Sequence, residues 1–293
     1  MSILVACVGQ LLHLVLMLAA APVLTGVVEA LAAWFGGRAA PSVMQPWWDV
    51  ARLFAKAPVR ASSASAVSAV APSVSVVLAV LCAALVPSFM LGMALAPLAD
   101  PIVIAALLVA MRVVPVLAAM DSGTAEGGIA AAEAAQAAVF TETALLLALF
   151  VLSLSGGGLD RIVASGMEGT LLTDPAAVLA VAALALVAGE AVVQPVLENA
   201  YSARDLALSR IAGQVRLLVW CDLVGGLALP FGMAPADGGP LDWLVGLAAW
   251  GGRVGLAALA VAALRVVGGA RPSPALRRLA LAFGAVSAGV GLL

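Results

Sequence analysis

The chain is 293 residues long, with 64% of its residues hydrophobic, only 10% charged, and a formal net charge of −2. Typical soluble proteins are about 45–50% apolar and about 25% charged, and a fold in water cannot bury an apolar surplus of this size. The composition therefore excludes a water-soluble globular domain. Spans of ~20 residues with their connections predict about eight membrane helices.

Eight apolar stretches are the predicted transmembrane helices, and pairs such as Gly127-Gly128 mark the predicted breaks between them. Lipid offers no hydrogen-bond partners to the backbone, so continuous apolar runs of this length are helices. The predicted fold class is all-α, a polytopic membrane helix bundle forming one integral membrane domain over residues 1–293. The predicted spans are about 3–33, 70–95, 101–120, 130–154, 176–197, 206–230, 243–266 and 276–293.

One short amphipathic helix is predicted over about residues 46–56, after the first span. Pro46 favours the start of a helix. The apolar face of this helix contains Trp47, Val50, Leu53 and Phe54, at i, i+3 and i+4 spacing. It is too short to cross a bilayer, so we expect it to lie in the membrane interface. Two interpretations stay open: an ordinary amphipathic linker, and a docking shelf for a peripheral partner.

Basic residues are distributed unevenly over the predicted connections. Most of the 14 lie in or beside the connections that follow spans 1, 5 and 7, whereas the connections on the opposite side hold only Arg161. The positive-inside rule places the basic connections in the cytoplasm. We therefore predict a multi-pass protein of the cell membrane with both termini on the non-cytoplasmic side. The basic residues of the cytoplasmic side are Arg38, Arg52, Lys56, Arg60, Arg204, Arg210, Arg216, Arg265, Arg271, Arg277 and Arg278.

Ionisable residues inside the predicted spans are the candidate functional groups, because each costs about 2.5–3.5 kcal/mol on insertion scales and needs a partner, water or a function. Glu142, Glu190 and Asp222 supply carboxylates in three consecutive spans. These carboxylates could form a proton relay or ion path, or they could pair with Arg112 or Arg253 and hold the bundle together. Both interpretations stay open. The full set is His13, Glu29, Arg112, Glu133, Glu142, Glu190, Asp222 and Arg253.

Cofactor sites are not predicted in this chain. His13 is the single histidine, and we expect it to form hydrogen bonds between helices rather than to carry protons. Cys7, Cys82 and Cys221 are far apart, which fits neither a metal site nor a disulfide. Nothing in the sequence could hold haem or an iron–sulfur cluster unaided, and we expect no nucleic-acid partner.

Three stretches in chain order carry a family resemblance. Residues 38–54, RAAPSVMQPWWDVARLF, are similar to the pattern RxGPxxxQPxxDxxKLF. Residues 119–128, AMDSGTAEGG, followed by Glu142, are similar to ALDxGxxFGGMGxSRE…AEP. Glu190 with Pro195, followed by YSARDLAL at residues 201–208, is similar to ExxRxP and YSGRDLAL. Together they resemble subunit 1 of respiratory complex I and its membrane-anchor relatives in formate hydrogenlyase and other energy-converting [NiFe]-hydrogenases.

Departures from the family pattern concern charged positions. Glu133 stands where the pattern has the arginine of SRE, and Gln194 stands where it has the arginine of ExxRxP. Only a few residues separate Pro195 from Tyr201, where the family has an acidic cytoplasmic segment that helps to form the quinone cavity. We expect no cofactor in this chain, and the missing segment counts against a quinone at an interface with a partner.

The resemblance implies a non-catalytic membrane anchor of an oxidoreductase complex. Such a subunit docks peripheral hydrogenase-like and iron–sulfur subunits on the cytoplasmic side, contacts antiporter-like membrane subunits, and contributes to proton or ion translocation. The alternatives are a stand-alone proton- or ion-coupled transporter and a degenerate scaffold without a proton path. The expected proton-path residues are Glu142, Glu190, Asp222, Glu133 and Arg112. The expected docking residues are Gln45, Pro46, Asp49, Arg52, Asp121, Arg204 and Asp205.

Overall fold

The computed structural model describes residues 3–57, 59, 64–154, 157–191, 201–235, 238–267 and 274–292, and within these ranges the regular secondary-structure elements are helices. Short 3₁₀ turns at Ala96–Leu98 and Leu171–Thr173 interrupt the connections. The α-helices are α1 (Ile3–Phe35), α2 (Gln45–Phe54), α3 (Ala66–Leu85), α4 (Pro101–Asp121), α5 (Ala125–Leu154), α6 (Leu159–Met167), α7 (Pro175–Ala191), α8 (Ala203–Ala228), α9 (Pro240–Val267) and α10 (Pro274–Gly291).

The membrane helix bundle predicted from composition is confirmed. Helices α1, α3, α4, α5, α8 and α9 are each long and apolar enough to cross a bilayer, and α7 contains a shorter apolar helix. Helix α10 packs along α5 and α7, whereas α8 lies centrally against α1, α3 and α9. Correspondingly, a larger share of the apolar segment is buried in α8 than in any of the other five helices that could cross the bilayer.

The second predicted span, 70–95, is wrong at its end, because α3 stops at Leu85. Val86 precedes Pro87, and the proline ring disfavours helical backbone at the residue before it. Val86 is accordingly extended, with φ −82° and ψ 119°. The chain then turns back along the α8–α9 connection, where the amide of Leu91 donates to the carbonyl of Ala234 at 3.0 Å.

The predicted break at Gly127-Gly128 is also wrong, because both residues lie in the first turn of α5. The turn comes earlier, at Gly123, whose φ is +65°. A Cβ at position 127 would lie 2.4 Å from the carbonyl oxygen of Ala119, so Gly127 allows α5 to approach α4 closely. Helix α5 therefore begins at residue 125 instead of 130.

Helix α6 was not predicted at all. Its nine residues lie in the connection between α5 and α7, and the amide of Leu159 donates to the carbonyl of Ala99 at 2.7 Å. Asp160 accepts a hydrogen bond from the amide of Gly92 at 2.7 Å. Burial raises the pKa of Asp160. The helix is thus bound to the connection between α3 and α4 and closes this end of the bundle.

The helix ends form two opposite faces of the bundle, which we call the α2 end and the α6 end. At the α2 end, Asp121 at the end of α4 meets Ser65 and Ser68 at the start of α3. At the α6 end, the connections after α3, α5 and α8 contact one another. Arg52 and Arg204 lie at the α2 end, opposite α6. The cytoplasmic location of the α2 end stays a prediction.

Candidate functional site

Helix α2 lies against α1 and α8 at the α2 end of the bundle. Pro46 and Val50 are buried, so Pro46 serves the packing of the helix and is not available to a soluble partner. The segment before α2 lies very close to α1. A Cβ added at Gly26 would be only 1.9 Å from the carbonyl oxygen of Val43, so this approach requires glycine. The buried Pro46 and Val50, together with the close approach at Gly26, hold α2 on the surface of the bundle as a shelf.

The opposite face of α2 is open. Gln45 and Arg52 are exposed, and the Trp48 side chain is 62% exposed. Arg52 forms an ion pair with the half-buried Asp49 at 2.8 Å. The face borders an open groove of about 790 Å³. The residues lining this groove are Ser42, Gln45, Trp48, Ala51, Arg52 and Ala55.

The start of α8 lies beside this shelf. The hydroxyl of Ser202 accepts a hydrogen bond from the amide of Val59 at 2.7 Å and donates to the carbonyl of Val59 at 2.6 Å. Ala203 is the one non-glycine residue with positive φ in the described part of the chain, at +47°. Arg204 is exposed, whereas Asp205 is buried. Of this predicted docking pair, the structure leaves Arg204 accessible to a partner.

Asp121 has a different environment from the other expected docking residues. Its carboxylate accepts hydrogen bonds from the hydroxyls of Ser65 and Ser68, both at 2.6 Å, and from their backbone amides at 2.9 and 3.1 Å. These amides belong to the first turn of α3, where backbone N–H groups lack helical partners. Asp121 therefore joins α4 to the start of α3.

An intramembrane cavity lies where α4, α5, α7 and α8 meet, and we call it the Glu142 cavity. Its volume of about 20 Å³ suffices for about one water molecule. Two of the predicted path residues, Arg112 and Glu142, line it. Arg216 lines it as well, although the distribution of basic residues placed Arg216 beside a cytoplasmic connection. The lining residues are Leu108, Val109, Arg112, Thr141, Glu142, Leu145, Val187, Arg216 and Trp220.

Charge and hydrogen bonding in the Glu142 cavity are arranged around Arg112. Arg112 is buried and donates to the hydroxyl of Thr141, which itself donates to the carbonyl of Ala137 at 3.1 Å. Arg112 also attracts the Glu142 carboxylate electrostatically. Oε1 of Glu142 is buried and has no hydrogen-bond partner among the described residues. The cavity thus combines a stabilising cation with a carboxylate oxygen that can bind water.

Two further predicted path residues, Glu190 and Glu133, are not among the residues that line this cavity in the described part of the chain. Glu190 lies in the last turn of α7, three residues beyond the cavity-lining Val187, and its side chain is outside the described residues. Glu133 is exposed. It precedes Glu142 on α5 by nine residues, which at 3.6 residues per turn places it on the opposite side of the helix. The structure therefore does not bring Glu133 into the Glu142 cavity.

Asp222 belongs to a second buried cluster, which it forms with Trp250, Arg253, Ser88 and His13. The indole of Trp250 donates to Oδ1 of Asp222 at 2.6 Å, and Arg253 donates to the carbonyl of Ser88 at 2.6 Å. Arg253 also attracts the Asp222 carboxylate. This arrangement matches the interpretation in which intramembrane charges hold the bundle together.

His13 completes the Asp222 cluster. Nε2 lies 2.7 Å from the carbonyl of Ala83, and Nδ1 lies 2.6 Å from the hydroxyl of Ser88. A carbonyl only accepts, so Nε2 carries the proton, and in the neutral ring Nδ1 accepts from Ser88. His13 thus links α1 to α3 and to the segment after it, as the inter-helix role requires.

Metal ligands do not cluster in the described part of the chain, where no group of three or more His, Cys, Asp or Glu residues could hold an ion. Cys7, Cys82 and Cys221 are free thiols.

Comparisons with known proteins agree with this architecture. No curated protein matches the chain. A solved structure described as the membrane-bound sulfane sulfur reductase, an archaeal respiratory membrane complex, matches with a TM-score of 0.76 and 18% identity, over 99% of this chain and 100% of that one. At this identity the match establishes the fold. A family model described as NADH dehydrogenase matches residues 8–236. The chain therefore belongs to the NADH dehydrogenase family, the family of complex I subunit 1, and is a membrane-anchor subunit of an oxidoreductase complex.

Proposed function

We propose that this subunit docks the peripheral electron-transfer arm at the α2 end and contributes to proton translocation through the Glu142 cavity. The observation that carries the second part is Oε1 of Glu142, which is buried and has no hydrogen-bond partner in the part of the chain that the structure describes. It lies in a cavity, lined also by Arg112, that can admit about one water molecule. Ionisable groups held inside membrane helices mark proton and ion paths when they reach water-filled space.

The chemistry follows from the two protonation states of Glu142. Arg112 stabilises the carboxylate, and the low-dielectric surroundings favour the neutral acid. These opposing effects allow the group to take a proton from a neighbouring water and release it again. Arg216 brings a second guanidinium to the cavity. Glu190, one turn or less beyond Val187 on α7, is the next candidate member of the path.

Docking is supported by the exposed face of α2. Trp48, Gln45 and Arg52 offer one large aromatic side chain and two polar ones around an open groove, a composition typical of interface anchors. Arg204 adds an exposed cation beside them. We propose that hydrogenase-like or other iron–sulfur subunits bind here. A bound quinone is not part of the proposal, because the chain lacks the acidic segment between Pro195 and Tyr201.

The test is Glu142→Gln in the assembled complex, reconstituted into liposomes. Glutamine keeps the shape of the side chain but cannot release a proton, so the number of protons moved per electron is expected to fall by the share that passes through this subunit, while electron transfer by the peripheral arm continues. Glu168→Gln is the matched control, because Glu168 is exposed in the α6 end. Unchanged proton movement in an intact Glu142→Gln complex would leave the scaffold alternative. Proton uptake by the purified chain alone would favour the transporter.

A further inference from the structure

The first half of α5 carries a polar stripe on the side that faces away from the bundle. The stripe follows alternating steps of three and four residues, which is the spacing of a helix that packs against one other helix. Phe140 is half-buried, and the other members are exposed. The members of this outer stripe are Glu126, Ile129, Glu133, Gln136, Phe140 and Thr143.

Two members of the outer stripe lie at membrane depth. Helix α5 has 30 residues, roughly 45 Å at 1.5 Å per residue, so it exceeds the ~30 Å hydrocarbon layer. Glu133 and Gln136 lie roughly 12 and 17 Å along the helix from its first residue, which places both inside the hydrocarbon of a centred helix. A carboxylate and an amide at this depth require polar partners.

The chain itself satisfies other members of the stripe. Glu126 lies in the first turn of α5, where the helix dipole favours an acidic side chain. The hydroxyl of Thr143 donates to the carbonyl of Val139 at 2.6 Å. The inward side of the same segment packs on α4 through alanines such as Ala130 and Ala134. Glu133 and Gln136 are therefore the residues of the outer stripe that most need polar partners from outside this chain.

We propose that the outer stripe of α5 docks one transmembrane helix of another membrane subunit, and that this helix presents a lysine or arginine to Glu133 and a hydrogen-bonding group to Gln136. Charge complementarity selects this occupant, because the stripe has two carboxylates and no basic side chain. Ile129 and Phe140 supply the apolar contacts on either side. The inference rests on the proposed function only in requiring further membrane subunits in the assembly.

The contact is tested by placing a benzophenone amino acid at Gln136 of the full chain in its native membrane. Leu256 on α9 is the control position, because it also lies on a helix long enough to span the membrane and its side chain is 53% exposed. We expect position 136, and not position 256, to give a major adduct with one membrane subunit, in a peptide that contains a lysine or arginine within one helical turn. Adducts with lipid alone, with a second copy of this chain, or equally from both positions would overturn the proposal.

Charge substitutions give a second readout. Glu133→Lys is expected to lower the co-purified amount of that membrane subunit at least fivefold, while Glu133→Gln lowers it less and the peripheral arm stays bound in both. Exchanging the partner's basic residue for glutamate should restore the subunit in Glu133→Lys. Wild-type composition in Glu133→Lys would contradict the proposal. The Glu133 experiment measures which subunits co-purify, whereas the Glu142→Gln experiment measures proton movement in a complete complex. A negative result in one therefore leaves the other proposal intact.

Discussion

Replacing Gly26 by alanine is expected to displace the shelf formed by α2. An alanine Cβ at this position would lie 1.9 Å from the carbonyl oxygen of Val43, whereas real Cβ atoms essentially never approach within 3.0 Å. The segment before α2 must therefore move outward by about 1.1 Å, the difference between these two distances. Because the obstacle is backbone, no side-chain rotation relieves the contact.

The magnitude follows from two opposing effects. Overpacking costs about 1–3 kcal/mol, and alanine gains about 0.5–1 kcal/mol over glycine inside a helix. We expect a net loss of up to about 2.5 kcal/mol in the free energy of unfolding. Gly252→Ala is the matched control, because Gly252 lies within α9 and an added Cβ meets nothing within 4 Å. That control should be neutral or slightly stabilising.

The assay is thermal unfolding of the detergent-solubilised chain, combined with the amount of peripheral arm retained by the assembly. Gly26→Ala should lower both the melting temperature and the retained arm, and Gly252→Ala should lower neither. Equal behaviour of the two variants would refute the close approach of α1 to the segment before α2. Loss of stability without loss of the arm would instead remove α2 from the docking surface.

Three further predictions concern single residues. Ala203→Gly should raise the free energy of unfolding by about 0.5–1 kcal/mol, because the φ of +47° is strained for alanine and free for glycine; a lower melting temperature than the parent would contradict this. Trp250→Phe should cost about 1–3 kcal/mol in chemical unfolding, because it leaves Oδ1 of Asp222 buried without its donor. Trp243→Phe is its control, because the indole N–H of Trp243 has no hydrogen-bond partner among the described residues, and a loss in Trp250→Phe no larger than in Trp243→Phe would contradict the cluster. Burial raises the pKa of Asp160, so the folded chain binds more protons than the unfolded chain between the two pKa values and loses stability as pH rises through the folded value. Asp160→Asn should flatten that part of the stability–pH curve, and an unchanged slope would count against it.

Composition and periodicity predicted the architecture because lipid leaves the backbone no alternative to helices. They left open whether the intramembrane carboxylates form a proton relay or associate with arginines. In the structure Arg112 lines the same cavity as Glu142, and Arg253 lies close enough to Asp222 to attract its carboxylate. The sequence could not say which carboxylates meet one another. Asp222 and Glu142 lie in separate clusters because Asp222 follows Trp220 by two residues, which turns it away from the cavity.

The misplaced elements have local causes. Helix α3 ends just before Pro87. The apolar run continues beyond this proline, so composition alone predicted a longer span. Gly127-Gly128 were interpreted as a turn, although glycine also occurs where two helices pack closely. The structure shows the second case, because Gly127 packs against the carbonyl of Ala119. Arg216 was assigned to a cytoplasmic flank by charge counting. Its position well inside α8 was the available signal that it lies at membrane depth.

The central claim is that this membrane subunit carries a soluble arm on the α2 end above a hydrated Glu142 cavity. A cryo-electron microscopy map of the assembly from its native membrane, at a resolution that shows ordered water, tests this most directly. We predict that a peripheral subunit covers Gln45, Trp48 and Arg52 and that a water contacts Oε1 of Glu142. A peripheral arm bound at the α6 end, with a dry Glu142 cavity, would contradict it.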